Sequence, residues 1–241
     1  MSKFVIFAHP RSGSTSLARV LGLSKDVKMA IEPFHPDYSI WNPKERDYSK
    51  IIKNPKSLDK ALNELFSKYS AIKVLDYQFP EKIYFEMLKR KDLKIIFLRR
   101  KNLLAAAISN LVAEQTSEWH KTKNKEIYNR LKPISIKKIT NWIKYVKETT
   151  KTYQTYLKRH RKGEFLELYY EDLYSNTYNK NLETINNICA LLTISPPPKT
   201  AIEKYMNPSN AKINYNNIYR NIPNYKEILK EFQKEDVNLN N

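Results

Sequence analysis

The residues best equipped for chemistry stand in one short run, His9-Pro10-Arg11-Ser12-Gly13-Ser14-Thr15-Ser16-Leu17, directly after the apolar stretch Phe4 to Ala8. A loop of small residues that leaves a buried strand and opens a helix points several backbone N–H groups at one spot. The helix N-terminus adds roughly half a positive charge there. That is the chemistry of phosphate binding. Gly13 permits close backbone approach, Ser14, Thr15 and their neighbours Ser12 and Ser16 offer hydroxyls or amides, and Arg11 supplies a cation. The nucleoside-triphosphatase pattern GxxxxGK[ST] is absent, because nothing supplies its first glycine or its lysine. Hydrolysis of ATP or GTP is thereby disfavoured. An ordinary helix capped by Ser12 or Ser14 is the plainer alternative.

Such a loop needs a frame. Phe4 to Ala8 is a continuous apolar run, as expected for a parallel strand buried on both faces. Ala71 to Leu75, Ile95 to Leu98 and Phe165 to Tyr169 read as further strands. Helical patterns lie between them: Ser57 to Lys68 with Ser57 as cap, Pro80 to Lys89 with proline at its first position, and Asn102 to Glu118. Ile136, Ile139, Ile143, Val146, Thr150, Tyr153 and Leu157 predict one long amphipathic helix, and Leu182, Ile185, Ile188 and Leu192 mark another. Strands alternating with helices predict an α/β fold, a P-loop-like central parallel sheet with helices on both faces. The whole chain, 1–241, reads as one domain, with a basic helical insert at 119–163 and a ragged polar tail at 234–241.

Composition sets outer bounds. The chain has 241 residues, 41% hydrophobic and 28% charged, which is ordinary globular composition. No apolar run approaches the roughly 18 residues needed to span a bilayer. Phe4 to Ala8 is too short for a signal-peptide core, so a soluble, cytoplasmic protein is expected. One cysteine, Cys189, excludes an internal disulfide framework, and the four histidines form no HxxxH pair, so no metal site is expected. Cys189 lies on an apolar helix stripe and is expected to be buried. The net charge is +18. Residues 119–163 hold 14 Lys+Arg and only Glu126 and Glu148, a net of +12. So local a surplus suggests an anionic partner, with a solvated helix face as the alternative.

The PRSGST loop resembles the 5′-phosphosulfate loop of sulfotransferases that use 3′-phosphoadenosine 5′-phosphosulfate (PAPS). Two more elements support the likeness, which spans nearly the whole chain. Arg99-Arg100-Lys101-Asn102-Leu103-Leu104 follows the strand KIIFL, and Ser109 follows in the next helix. In that family an arginine at the strand end and a serine in the helix hold the 3′-phosphate, and an arginine fork beside a hydroxyl suits a phosphate dianion. Arg100 to Ser109 is nine positions where eight is commoner, which leaves Arg99, Arg100 or both as the contact. Tyr169-Tyr170-Glu171-Asp172-Leu173 resembles the family's YEDL stretch, which would place Tyr170 at the adenine. Lys73 in AIKVLDYQ and Ile222 to Glu227 also resemble bacterial, carbohydrate-directed members. No basic, glycine-containing segment of the phenol and steroid enzymes follows residue 200, so the nodulation-factor and glycan branch is the better likeness.

The resemblance implies sulfuryl transfer from PAPS to a hydroxyl of a sugar, oligosaccharide or glycolipid, with no metal required. Arg11 and the loop amides would neutralise the 5′-phosphate and bridging oxygen as the bond breaks. The base is expected from Ile31-Glu32-Pro33-Phe34-His35-Pro36. Glu32 holds the family position, and desolvation beside Phe34 would raise its pKa; His35 is the rival. His9 is expected to pack at the strand end, and His160 to face solvent. Trp119 and His120 either line the acceptor cleft or pack. Two other classes stand beside this reading. A nucleic-acid-binding protein would use 119–163 as a platform, with Trp142, Tyr145, Tyr153 and Tyr156 among the basics; no nucleic acid is expected if the loop carries the function. A small-metabolite kinase would share the scaffold but lacks the Walker lysine.

Overall fold

The computed structural model describes residues 2–119, 125–174, 177–207 and 218–233. His120 and the 234–241 tail lie outside the described residues. Five parallel strands form the centre: β1 (Lys3–Ala8), β2 (Met29–Ile31), β3 (Ala71–Leu75), β4 (Leu93–Arg99) and β5 (Phe165–Tyr169). Their spatial order is β2-β3-β1-β4-β5. β1 pairs with β3 from Phe4↔Ala71 and with β4 from Lys3↔Leu93. The first strand of the chain is therefore the central one, and its end carries the loop.

Because every strand of a parallel sheet needs cover on both faces, side chains alternate between two helical layers. Phe4, Ile6 and Ala8 pack against α1 (Ser14–Leu21), α8 (Tyr178–Leu192) and α9 (Lys199–Met206). Val5 and Phe7 face α3 (Pro55–Lys68), α4 (Glu81–Leu88) and α6 (Ile136–His160). α5 (Leu103–Thr116) joins α6 and α10 (Tyr225–Phe232) in a third cluster. Two single turns, α2 (Tyr38–Trp41) and α7 (Tyr170–Leu173), are the remaining α-helices among the described residues. Cys189 is buried, and burial pushes its thiol up to about 11.

Several expectations shift in detail. α3 begins at Pro55, with Asn54 as cap and Ser57 closing a capping box, since Asn54 Oδ1 accepts from Ser57 N at 3.0 Å. Pro80 is the extended residue before α4 and not its first helical position. The basic 119–163 stretch supplies α6, whose Tyr153 and Leu157 enter the core beside Phe7. It is thus a covering layer of the sheet and not an appendage. Arg161 is fully buried, and donates to the carbonyl oxygens of Leu88, Arg90 and Leu93 at 2.6–2.7 Å, so part of the basic surplus is structural.

Candidate active site

The loop after β1 is built to leave a helix end open. Arg11 and Gly13 both take left-handed backbone angles, φ 63 and φ 80. Gly13 is the N-cap of α1, no side chain caps the helix, and its first turn holds no acid. The plainer alternative, a helix capped by Ser12 or Ser14, is therefore not what forms. Ser12 spends its hydroxyl on the His9 carbonyl oxygen at 2.7 Å, bracing the loop, so the backbone is what Ser12 can offer a ligand. Gly13 is required for a second reason. A Cβ there would meet the Tyr174 and Tyr170 rings at 2.5 and 2.8 Å. The Tyr174 hydroxyl donates to the Gly13 carbonyl oxygen at 2.6 Å, so two tyrosines in ring contact, from far along the chain, hold the loop's shape.

Beside this loop the Arg100 guanidinium lies 4.4 Å from the centre of the Tyr170 ring and donates to the Arg11 carbonyl oxygen at 3.0 Å. Arg11 Nε donates to Ser109 Oγ at 2.8 Å, and its Nη1 to the Trp119 carbonyl oxygen at 2.7 Å. Arg11, Arg100, Ser109 and Tyr170 thus form one cluster next to the helix end. Arg99 does not join it. Alternation along β4 sends Arg99 to the opposite face, where it meets Glu167 at 2.5 Å and the Tyr169 hydroxyl at 2.6 Å.

On the other side of the loop stands Glu32, at φ 57, a conformation rare for a residue with a side chain. Its carboxylate is paired with the Lys73 ammonium and accepts from Gln78 Nε2 at 3.3 Å. Lys73 Nζ also donates to Thr15 Oγ1 at 3.1 Å, tying carboxylate to loop. Lys73 sits fully buried in β3, and burial, with Arg11 and Arg19 nearby, holds its pKa below the ordinary lysine value against the pull of Glu32. The expectation that Phe34 desolvates Glu32 is not met. Phe34 turns into the core against Phe79 and Tyr48, and a cation occupies the place beside the carboxylate. The His35 backbone N–H donates to the Glu32 carbonyl oxygen at 2.9 Å, while its side chain is engaged elsewhere: Nδ1 accepts from Asp37 N–H at 3.1 Å, and the ring stacks on Trp41 at 4.6 Å.

The structure thus gathers Glu32, Thr15, Arg11, Ser109, Arg100 and Tyr170 around one helix end, turns Arg99 to the other face, and commits the His35 side chain to Asp37 and Trp41. Sequence reasoning gave no role to Lys73, Gln78 or Tyr174. A lysine inside the five-residue buried strand AIKVL is itself a signal, since a fully buried charge is kept only with a partner. His9 is buried at the strand end as expected, its Nδ1 2.8 Å from Asp76 and its Nε2 2.7 Å from Thr150. Among the described residues, no group of three or more His, Cys, Asp or Glu is placed to hold a metal, and no helix is long and apolar enough to cross a membrane.

No curated protein sequence is significantly similar to the chain. Among solved structures, mouse sulfotransferase SULT7A1 complexed with PAP is similar at 13% identity with a TM-score of 0.47, over 87% of this chain and 66% of that one. The Sulfotransferase domain family matches residues 1–238. That span takes in the open helix end, the Arg100–Ser109 flank and the Lys73–Glu32 pair together, and the chain belongs to the sulfotransferase domain family.

Proposed function

We infer that the protein transfers a sulfuryl group from PAPS to a hydroxyl acceptor. The observation that carries this reading is the uncapped, acid-free start of α1 flanked by two separate devices: the Arg11–Ser109–Arg100 cluster and the Lys73–Glu32 pair. One cluster suits a second phosphate, and the other suits proton removal. The amides of Gly13 to Ser16 and Arg11 would hold the 5′-phosphosulfate. Arg100 and Ser109 would hold the 3′-phosphate, and Tyr170, already under a guanidinium, would lie against the adenine.

PAPS supplies an activated sulfuryl group on an anhydride oxygen. Glu32 takes the acceptor's hydroxyl proton as its oxygen bonds to sulfur, and the sulfur–oxygen bond to the 5′-phosphate breaks. Lys73 holds the carboxylate in place and, through Thr15, at a fixed distance from the loop. Most of the acceleration then comes from positioning and charge stabilisation. His35 is the weaker candidate, because its Nδ1 and one ring face are already engaged.

A sugar, oligosaccharide or glycolipid acceptor, as in the bacterial carbohydrate-directed branch, fits the exposed aromatic surface near Glu32. Trp41 and Tyr77 are about half exposed, and Tyr77 adjoins the Gln78 that binds the carboxylate. Flat aromatic faces of this kind pack well against apolar ring faces. A cytoplasmic location belongs to the same reading. The nucleic-acid alternative is weakened by the fate of its aromatics: Tyr153 is in the core, and the Tyr145 hydroxyl donates to Asp76 at 3.0 Å. The kinase alternative still lacks a lysine in the loop.

Titration with 3′-phosphoadenosine 5′-phosphate, ATP and a short oligonucleotide separates the three. Saturable binding of the first, at least about tenfold tighter than ATP, is expected, since it alone offers the 3′-phosphate to Arg100 and Ser109. Preference for ATP or for the oligonucleotide overturns the assignment.

A further inference from the structure

Away from the strand ends that carry the loop, α4 and α6 enclose an open groove of about 400 Å³, within the roughly 300–1,000 Å³ of small-ligand pockets. Two rows of side chains run along its α6 wall, each at steps of four residues. Lys151, Thr155 and Arg159 form one row, and Thr152, Tyr156 and His160 the other. Steps of four keep residues nearly in line on a helix, so each row extends about 12 Å. Phe85 of α4 meets the second row. Its ring centre lies 4.5 Å from that of Tyr156, which lies 4.6 Å from that of His160. A polar, cationic row therefore runs beside a row of rings.

The groove is held in shape. The Tyr156 hydroxyl donates to the Phe85 carbonyl oxygen at 3.2 Å, and the Tyr153 ring packs against Phe85 at 5.9 Å. Arg161 ties the end of α6 to the Leu88 carbonyl oxygen at 2.7 Å. Its polar groups are uncommitted: Lys151, Thr152, Thr155 and Arg159 engage no side-chain hydrogen-bond or ion-pair partner among the described residues. The carboxylates around them are taken. Glu86 pairs with Lys89, Glu148 lies 3.9 Å from Lys144, and Glu164 meets Arg161 and Lys91 at 2.7 and 2.9 Å. Lys151 also borders the cleft that Arg100 lines, so Arg159 is the cation that belongs to this groove alone. From Tyr145, whose hydroxyl reaches Asp76 just past β3, Arg159 is fourteen positions on, or about 21 Å along the helix.

We propose that this groove is a distal binding site for an anionic oligosaccharide, the part of a sugar acceptor remote from the hydroxyl that reacts. The ring row presents apolar surface to the faces of the sugar units. Thr152 and Thr155 bond their hydroxyls, and Lys151 and Arg159 meet their sulfate or carboxylate groups. A peptide is the poorer occupant. Both walls are helices whose backbone groups are bonded internally, so an extended chain finds no ladder to join. That the sugar is the acceptor rests on the sulfuryl-transfer reading; its binding in the groove does not. A span of about 21 Å along α6 selects an acceptor of several sugar units over a monosaccharide.

Calorimetric titration at constant ionic strength tests this with a sulfated tetrasaccharide from heparin, neutral cellotetraose, tetraglutamate and 3′-phosphoadenosine 5′-phosphate. Saturable binding of the sulfated tetrasaccharide is expected, at least about tenfold tighter than cellotetraose or tetraglutamate. K151A/R159A should weaken it about tenfold or more, and Y156A about fivefold. K53A/K56A, an equally charged and exposed pair at the start of α3, should change it less than about twofold. R159A should leave the affinity for 3′-phosphoadenosine 5′-phosphate within about twofold. Tetraglutamate bound as tightly as the tetrasaccharide makes the groove an acidic-peptide site and overturns the proposal. Equal weakening by the two double variants, or no saturable response to the tetrasaccharide, overturns it as well. Nucleotide binding without tetrasaccharide binding removes the distal site and leaves the transfer reaction standing; the reverse result removes the reaction and leaves the site. Thermal melts establish that each variant is folded. Lys151 and Arg159 are exposed, so K151A/R159A keeps the test decisive if Y156A melts early.

Discussion

The two faces of the sheet meet the same strand ends and make different things of them. Arg99 and Arg100 are adjacent in sequence, but one pairs with Glu167 under α6 and the other lies over Tyr170 beside the phosphate loop. His9 and Asp76 belong with Arg99, and Lys73 belongs with the loop, although β1 and β3 supply or precede all three. The difference teaches that strand alternation, and not sequence proximity, partitions charged residues into sites. On the α1 face, the cations converge on a helix start free of acid. On the α6 face, carboxylates answer them directly: Glu167 meets Arg99, and Asp76 meets His9.

The largest effect that separates the faces is chemical. E32Q keeps the size and hydrogen-bonding outline of the side chain but removes the proton acceptor. Turnover should fall about a hundredfold or more, the usual scale for a general base, with nucleotide affinity within a few-fold. Steady-state kinetics beside H35A decide the matter: a crippled H35A with a mild E32Q moves the base to His35.

A middle effect divides the arginine pair itself. R100A or S109A should weaken binding of 3′-phosphoadenosine 5′-phosphate about ten- to hundredfold, while adenosine 5′-phosphosulfate, which lacks the 3′-phosphate, is bound nearly as before. R99A should leave the affinity for both within about twofold. Calorimetric titration that finds R99A as damaging as R100A would erase the division between the faces.

The smallest effect concerns the exposed side of α6. Lys137, Lys138 and Lys144 are all exposed and fall between the buried or half-buried Ile136, Ile139, Ile143 and Val146. Reversing the three charges should raise the KM of an anionic acceptor a few-fold and spare the nucleotide. The effect should fade with salt, as the Debye length drops from about 10 Å at 0.1 M to about 3 Å at 1 M. A KM that ignores both charge and salt leaves these lysines as a solvated face.

Much of this arrangement is written locally. The five-residue run Ala71–Leu75 is a strand in both sequence pattern and structure, and the long apolar stripe from Ile136 to Leu157 is one helix. β2 escaped because three residues, Met29–Ile31, are too few to show a period. α9 and α10, of eight residues each, are hidden by charged and tyrosine-rich sequence. In the site, the loop was legible because its small residues and glycine are a local requirement. The Lys73–Glu32 pair was not, since it joins β3 to the end of β2, 41 positions apart, by side chains alone. Which of Arg99 and Arg100 faces the loop depends on the residue at which the strand ends. Phe34 misled for a related reason: hydrophobicity says that a ring is buried, and not which neighbour it faces.

The Tyr174–Gly13 contact has a consequence for the order of events during synthesis. The loop leaves the ribosome well ahead of the tyrosine that holds it, which follows 161 residues later. At roughly 5–20 residues per second, that interval lasts about 8–30 seconds. Through it, β1 also waits for β3 and β4, its neighbours on either side. A nascent chain halted before Tyr170 can hold β1, β3 and β4 together and still lack the two rings that set the loop. The loop thus takes its final shape late and at once, when the Tyr170 and Tyr174 rings arrive.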